Sequence, residues 1–305
     1  MRKKEKEIYL YFLMREEEFL KELEKIYEEA LEEIEEEIIF AQGDALIHNA
    51  VYRGEYQKAL RGQIQSILEN LHTKEYKSIN EYLKDSYTDG VVGVAYSLHQ
   101  QGIPVLLPIN QEQVVRALMT DSAISEGLYK TLGTDTSELR KVIAAEITRG
   151  IATNRQYGEI ARNISTRMRI PLKRARTIVI TEAHRIREEA SQHARVEAKK
   201  QGCRIVKQWD ATMDGKTRPT HRRLDGQIRE VDEPYEIDRK KAMQPGGFGR
   251  PEEDINCRCV SLTRAVWALD ESELERLKER AKFFNLDKTK EFEEFKRKYL
   301  DAIKD

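Results

Sequence analysis

Three residues with soft, metal-binding side chains fall in one turn-rich stretch of the chain: His221, Cys257 and Cys259. Imidazole nitrogen and thiolate sulfur suit zinc, and four such ligands make a structural site, for which Cys203 is a candidate fourth ligand. Residues two apart in a strand share a face, so both thiols can point to one ion. Structural zinc sites usually separate their cysteines by two to four residues, however, and buried cysteines are common packing residues. A zinc site and a metal-free buried strand both stay open, and the second is favoured.

Acidic residues in the same stretch allow a second kind of chemistry. Asp214, His221 and Asp225 could form a general acid–base set or a metal-dependent phosphodiesterase site, as in a nucleic-acid-acting enzyme or toxin. The chain lacks a glycine-rich phosphate loop, a helix with paired histidines and a nucleophile elbow. Aspartates also close turns by accepting from their own backbone two residues on. We therefore assign no catalytic residue, and expect Arg218 to pair with an aspartate and His221 to donate to a backbone carbonyl.

Long helices must position this stretch. Apolar residues at steps near three, four and seven predict an amphipathic helix over residues 3–42, packed against another helix, of this or another chain. Helical periodicity continues to about residue 99, and Gly90 and Gly93 mark turns or close helix contacts. Pro171 is predicted to separate two further helices, the second of which ends before Gly202. The first helix carries the stripe Phe12, Phe19, Leu23, Ile26, Ala30, Ile34 and Ile38.

The period changes after residue 202. Three strands are predicted, at residues 203–209, 227–231 and 260–266. The tail from residue 270 is predicted to be helical, with an apolar stripe of Phe292, Phe295, Tyr299 and Ile303. The predicted fold is mainly α, with long N-terminal amphipathic helices followed by a small, compact C-terminal α+β domain containing a short antiparallel sheet. Its predicted segments are an N-terminal arm for partner docking or self-association (1–104), a helical connector (105–148), a domain with an α+β core at 202–266 (149–266) and a tail (267–305).

Composition narrows the function classes. The chain has 305 residues, 35% of them charged, and a net charge of −1, so its total charge does not indicate a nucleic-acid partner. Three cysteines argue against a disulfide-rich secreted scaffold, and the sequence shows neither a signal peptide nor a bilayer-spanning apolar run, so no membrane partner is expected. Five basic side chains are candidate contacts for the phosphates of double-stranded DNA, also in a zinc-stabilised DNA-binding module, although interspersed glutamates favour a solvated face. They are Arg167, Arg169, Lys173, Arg174 and Arg176.

Several short motifs follow one another in a specific order. They are Ile180-Thr181-Glu182-Ala183-His184-Arg185, Trp209, Asp214-Gly215-Lys216-Thr217-Arg218 with His221, Leu224-Asp225-Gly226-Gln227, Met243-Gln244-Pro245-Gly246 and Ile255-Asn256-Cys257-Arg258-Cys259. Together, over about residues 150–266, they resemble the phage Mu F-like head morphogenesis proteins, also called minor capsid or minor head proteins. Many relatives carry a histidine before the final Cys-Arg-Cys; this chain has Glu252-Glu253-Asp254-Ile255, which weakens a zinc assignment there. The motif residues are interpreted as a structural network: Trp209, Asp210, Asp214, Arg218, His221, Asp225, Gly226, Asn256, Cys257, Arg258 and Cys259.

The resemblance implies a structural role. Such proteins enter the procapsid in few copies near the portal and assist head assembly and DNA packaging or ejection. The implied partners are the portal protein and the major capsid or scaffolding protein. The implied location is the virion, in the capsid interior or at the portal vertex, after assembly in the host cytoplasm. No cofactor or catalytic activity is implied, and a fused toxin domain, known in some relatives, is not expected because only a short helical tail follows Trp267.

Overall fold

The computed structural model describes residues 3–45, 50–110, 157–266 and 291–303, with shorter described pieces at 113–114, 117, 137–139, 141–143, 145–146, 278–279, 281–286 and 289. Its elements, in chain order, are α1 (Lys3–Ala45), α2 (Ala50–Gln100), α3 (Tyr157–Lys200), β1 (Ile205–Asp210), α4 (Pro219–Leu224), β2 (Ile228–Glu230), β3 (Tyr235–Ile237), β4 (Lys240–Ala242), α5 (Pro251–Asp254), β5 (Val260–Ala265) and α6 (Phe292–Ala302). The predicted mainly helical fold with a small antiparallel sheet is confirmed. None of the helices in these ranges combines the length and the apolar character that a bilayer crossing requires.

The apolar stripe of α1 is covered by this chain itself. Tyr27, on the same face, donates a 2.9 Å hydrogen bond to Glu75 of α2, and Ser78 of α2 donates one of 2.6 Å to Glu22, so the two helices pack antiparallel. The helix that covers this stripe thus belongs to the same chain, and docking of residues 1–104 on a partner stays a prediction. Its buried members are Phe12, Phe19, Leu23, Ala30, Ile34 and Ile38.

Helix α3 corrects a predicted break. It runs from Tyr157 to Lys200 with Pro171 inside it, so two predicted helices are one. Proline removes one backbone hydrogen bond and costs about 3 kcal/mol in a helix interior. The apolar side chains around it are buried on one face, and their burial offsets this cost. They are Ile164, Met168, Ala175 and Ile178.

A three-stranded antiparallel sheet follows α3, in the order β2-β1-β5. Strand β5 pairs with β1 along its full length, from Ile205 opposite Ala265 to Asp210 opposite Val260. These are the three predicted strands. Strands β3 and β4 form a separate hairpin whose two turn residues, Asp238 and Arg239, have φ of 47° and 63°. This hairpin was not predicted, since Asp-Arg is not among the glycine-containing pairs that usually mark such a turn.

The chain forms two compact units that do not follow the order of the sequence. One unit comprises residues 1–17, 82–125 and 179–305, and the other comprises residues 18–81 and 126–178. The first contains the sheet, the hairpin, α4, α5 and α6, together with segments of the three long helices. Each predicted segment was continuous in sequence, whereas each unit combines separate stretches of the chain. The two divisions are therefore different, and the predicted segments stay a prediction.

The C-terminal helix α6 packs within the first unit. The Phe292 ring lies edge-on to Tyr11 and Tyr96, with centroids 4.9 and 5.4 Å apart, and the Tyr299 hydroxyl donates to the carbonyl of Leu107 at 2.9 Å. Edge-to-face aromatic pairs at these distances stabilise a core beyond the area that they bury. The predicted stripe on the tail is therefore confirmed as a packing face.

Two helices of the first unit approach closely at Gly90. A Cβ atom at this position would lie 2.3 Å from the carbonyl oxygen of Arg187 and 2.8 Å from the Cβ of Ala190. Only a residue without a side chain fits there. Gly90 is thus a close contact inside α2, not a turn.

Candidate functional site

The stretch between Trp209 and Cys259 folds around one small apolar core. Trp209, at the end of β1, is fully buried, and its indole lies edge-on to the rings of His221 and Tyr235, with centroids 5.5 and 5.1 Å apart. His221 therefore stands inside a core and not in an open cleft. The buried members of this cluster are Trp209, Ala211, Leu224, Tyr235, Cys257 and Cys259, with Ile237 and Phe248 packed against them.

A short helix presents His221 to this core. Helix α4 has Pro219 at its start, which supplies a preset φ and needs no backbone hydrogen bond there. His221 and Leu224, three residues apart, share its buried face, as helical periodicity requires. The segment was predicted as part of a turn-rich stretch, and Pro219 at its start was the signal that could have revealed the helix.

The two ring nitrogens of His221 face different chemistry. Nδ1 lies 3.3 Å from Sγ of Cys259 and 3.7 Å from Sγ of Cys257, while Nε2 lies 3.2 Å from Oε2 of Glu253. The last pair lies within ion-pair distance but does not form a well-aligned hydrogen bond. The expectation that His221 donates to a backbone carbonyl is wrong, because the core brings two sulfur atoms and a carboxylate to the ring instead.

The two thiols perturb each other. The hydrogen bond from the Cys257 thiol lowers the pKa of Cys259, and nearby His221 lowers it further against the opposing effect of burial. The same contact, together with burial, raises the pKa of Cys257 well above its ordinary value. The contact between the two thiols thus shifts their pKa values in opposite directions.

Glu253 supports the histidine from the side opposite the thiols. It lies in the short helix α5, is almost fully buried, and accepts hydrogen bonds from Lys240 at 2.5 Å and Thr220 at 2.9 Å. Burial would raise the pKa of Glu253, but these two hydrogen bonds and the charge of Lys240 outweigh it and lower the pKa. A carboxylate thus stands beside Nε2 of His221.

Asp214 is held by an arginine, but not by the expected one. The Arg258 guanidinium donates to both Asp214 oxygens at 2.5 and 2.8 Å and holds the pKa of that carboxyl well below its usual value. Oδ1 also accepts from the backbone of Lys216 at 2.9 Å, which confirms the predicted turn. Arg218 instead donates to the carbonyl of Ile255. Arg258 lies between the two cysteines, so its side chain points away from theirs and towards Asp214.

Asp225 and Gly226 fix the loop after β1. The carboxylate of Asp225 accepts from the backbone N–H of Ala211 at 2.8 Å. Gly226 has φ of 77°, and its N–H donates to the carbonyl of Trp209 at 2.9 Å. Both contacts are structural, and they hold Trp209 at the end of the strand.

Asn256 and Asp210 complete the motif residues. Asn256 has φ of 56°, a conformation that asparagine tolerates, and its N–H donates to Oγ1 of Thr181 on α3 at 3.1 Å. Asp210 pairs with Val260 at the end of the sheet. These contacts tie the Cys-Arg-Cys segment to the helix whose sequence accompanies it in the motif.

The structure does not assemble the postulated catalytic set. In the described ranges, the metal-type donors gathered at His221 are Cys257 and Cys259. Asp214 and Asp225 serve the structural contacts given above. Cys203 is not the fourth ligand, because it lies before the opposite end of β1, about 20 Å away at the usual rise of a strand.

The five candidate phosphate contacts lie on the first half of α3. Arg167, Arg169, Lys173 and Arg174 are exposed, whereas Arg176 is paired with Glu24 at 2.7 Å. Arg176 is therefore already paired with a carboxylate of this chain. Contact of the other four with DNA stays a prediction.

The second half of α3 carries a buried polar network that sequence reasoning read as a solvated face. Glu188 accepts from the backbone N–H of Ser261 at 3.0 Å, and Arg195 donates to Oγ1 of Thr263 at 3.0 Å, so both side chains hold strand β5. Burial raises the pKa of Glu188 to about 7 against the opposing charges of Arg195 and Arg187. The alanines of this helix allow close approach of a neighbouring backbone, and they were the sequence signal that this half of α3 is buried.

The region that contains these contacts is similar to known proteins. Residues 141–262 match the family model described as phage Mu protein F like protein. The chain is 34% identical over 201 residues to the NAD(+)–arginine ADP-ribosyltransferase EFV of Enterococcus faecalis, which covers 66% of this chain and 41% of that relative. It is 28% identical over 253 residues to the minor head protein GP7 of Bacillus phage SPP1, covering 79% of this chain and 80% of that relative.

No solved structure matches the chain. The chain thus spans about two fifths of the length of the transferase and four fifths of the length of the head protein. Residues 141–262, which contain His221 and every side chain described in contact with it, thus match the phage Mu F-like family, and a wider part of the chain is similar to a phage minor head protein.

Proposed function

We propose that the chain is a structural minor head protein of a tailed phage or prophage. It enters the procapsid near the portal and assists head assembly and DNA packaging or ejection. The observation that carries this proposal is the likeness to minor head protein GP7 over 79% of this chain and 80% of that relative. Since the family model matches residues 141–262, the likeness extends well beyond the family region and into the long helices.

The geometry of the motif residues supports a structural role. Asp214 is tied to Arg258, Asp225 to the backbone of Ala211, and His221 to a buried core. A nuclease built on these residues would need them to converge on an accessible substrate, and a buried imidazole offers no such access. The nucleic-acid-acting enzyme is therefore the weaker alternative.

The location is tested in the phage or prophage that encodes the chain. We expect quantitative mass spectrometry of purified procapsids and filled heads to detect the chain at a few copies per head, with the portal protein as internal standard. Gene disruption should lower the yield of filled, infectious heads, and the full-length chain supplied in trans should restore it. Heads that lack the chain, and form and fill normally without it, would overturn the proposal.

The transferase relative supplies a second candidate, arginine-directed ADP-ribosylation. It is the weaker one because the aligned part covers only 41% of that relative, so most of that protein lies outside the likeness. The purified full chain is incubated with labelled NAD and an arginine-containing acceptor. We expect no transfer of label to the acceptor; transfer at a rate above that of boiled protein would favour the enzyme.

A further inference from the structure

Three soft donor atoms meet in the apolar core. Nδ1 of His221 and the sulfur atoms of Cys257 and Cys259 all lie within 4.8 Å of one another, and all three residues are buried. They come from two separate elements, helix α4 and the segment before strand β5. Tertiary packing, rather than the spacing of two neighbouring cysteines, therefore creates the cluster.

The distances suit one tetrahedral ion. Zinc binds sulfur at about 2.3 Å and nitrogen at about 2.0–2.1 Å, which at tetrahedral angles separates nitrogen from sulfur by about 3.6 Å. The two nitrogen–sulfur distances here are 3.3 and 3.7 Å. Little movement of either element is needed to place both thiolates and the imidazole around a zinc ion.

Hydrogen bonding alone does not explain the convergence of two sulfur atoms on one ring nitrogen. Nδ1 of a histidine is either one donor or one acceptor, so it makes one good hydrogen bond in the ring plane. Cys257 bonds its neighbour Cys259 and cannot share this nitrogen in a second good hydrogen bond, although its sulfur lies only 3.7 Å away. An ion between the three atoms accounts for both contacts at once.

The surroundings of the histidine match those of a metal ligand. A metal-binding histidine usually donates its other ring N–H to a carboxylate, which fixes the tautomer. Glu253 lies 3.2 Å from Nε2, and Lys240 and Thr220 hold its carboxylate in place. Trp209 and Tyr235 pack around the cluster and exclude water from the side facing the core.

We propose that Nδ1 of His221 and Sγ of Cys257 and Cys259 bind one Zn²⁺ ion, with Glu253 positioning the imidazole. In the described ranges the donor group has three members, so the fourth position takes a non-protein ligand such as water. The ion joins α4 to the segment that leads into β5 and stabilises the family domain. Binding releases the thiol protons, so affinity rises with pH. This assignment is independent of the head function: either can fail alone.

The zinc content of the full chain, purified under reducing conditions, tests the site. We expect about one zinc ion per chain by elemental analysis, and a loss of it in Cys259→Ser. The matched control is Cys203→Ser, which removes another buried cysteine of the same unit outside the cluster. Zinc far below one per chain after titration with zinc chloride, or equal zinc in Cys259→Ser, would overturn the site.

Cobalt replaces zinc in a second test that needs no variant and so does not depend on a variant folding. Co²⁺ bound to the full-length chain should show thiolate-to-metal charge-transfer absorption and the visible bands of tetrahedral cobalt. Added zinc should abolish both. Cobalt spectra without thiolate bands would contradict ligation by the two cysteines.

Two variants test whether Glu253 positions the imidazole of His221. Glu253→Gln should weaken zinc affinity by about 10–100-fold in a chelator competition, as loss of such partners does elsewhere. Glu252→Gln is the matched control, because Glu252 is exposed and lies next to Glu253 in the same short helix. Equal affinities in the two variants would refute the positioning role.

Discussion

Arg258 and Asp214 form a bidentate, half-buried ion pair within the family motif. One terminal nitrogen of the guanidinium donates to each carboxylate oxygen, at 2.5 and 2.8 Å, and the pair joins the turn after β1 to the Cys-Arg-Cys segment. Bidentate pairs of this kind fix geometry as well as charge. Since Cys257 and Cys259 flank the arginine, the same pair holds both thiols against His221.

Removing this arginine should destabilise the protein in a pH-dependent way. Because the pKa of Asp214 is lowered from 3.8 in the folded chain, the pair contributes stability above about pH 4, and that contribution disappears as the pH falls further. Arg258→Ala should lower the Tm at pH 7 but have progressively less effect below pH 4. Arg250→Ala is the control, since Arg250 is exposed and lies 3.7 Å from its carboxylate partner. A pH-independent difference would contradict the pairing.

The contribution of Glu188 to stability should depend on pH in the opposite direction. Burial raises its pKa from 4.5 to about 7, so the folded chain binds its proton more tightly than the unfolded chain does. Stability should therefore be greatest below about pH 4.5 and fall as the pH rises to 7, by at most about 3 kcal/mol. Glu188→Gln keeps an acceptor for Ser261 and should flatten this slope in urea unfolding at pH 5 and pH 8. Glu197→Gln, on the same helix and partly exposed, should leave it unchanged.

Two glycines in one helix should respond oppositely to alanine. Gly90→Ala places a methyl group 2.3 Å from the carbonyl oxygen of Arg187, so it should destabilise the first unit by about 1–3 kcal/mol or more. At Gly62 nothing lies within 4 Å of the new Cβ, and Gly62→Ala should stabilise helix α2 by up to about 1 kcal/mol. Both are measured by denaturant unfolding. Equal effects would show that Gly90 is not a close contact.

Replacing Pro171, inside α3, with alanine should increase the stability of the folded chain. Pro171→Ala restores a backbone donor in the helix interior, which stabilises by up to about 3 kcal/mol, less the packing lost from a buried ring. Pro219→Ala is the comparison, because proline at the first position of a helix is favourable. We expect the midpoint of chemical unfolding to rise for Pro171→Ala and not for Pro219→Ala. A fall at Pro171 would show that ring packing outweighs the hydrogen bond.

Sequence alone determined the elements whose signals are local. Residue periodicity predicted α1, the strands β1, β2 and β5, and the packing face of α6, because a helix or strand repeats its apolar residues along the chain itself. The order of the short motifs also identified the family, which the family model confirmed over residues 141–262. Periodicity and motif order both depend on the spacing of residues along the chain, and neither depends on contacts between distant segments.

Only the tertiary structure decided which partner each side chain meets. Arg258 and Arg218 have the same charge, and only packing places the first beside Asp214 and the second beside the carbonyl of Ile255. The sequence likewise offered Cys203 as a fourth ligand, but β1 places it far from His221, whereas the segment before β5 brings Cys257 and Cys259 to it. The sequence also left open whether the stripe of α1 packs on this chain or on another, and the structure places α2 against it. Such choices depend on contacts between distant segments, which periodicity and composition do not record.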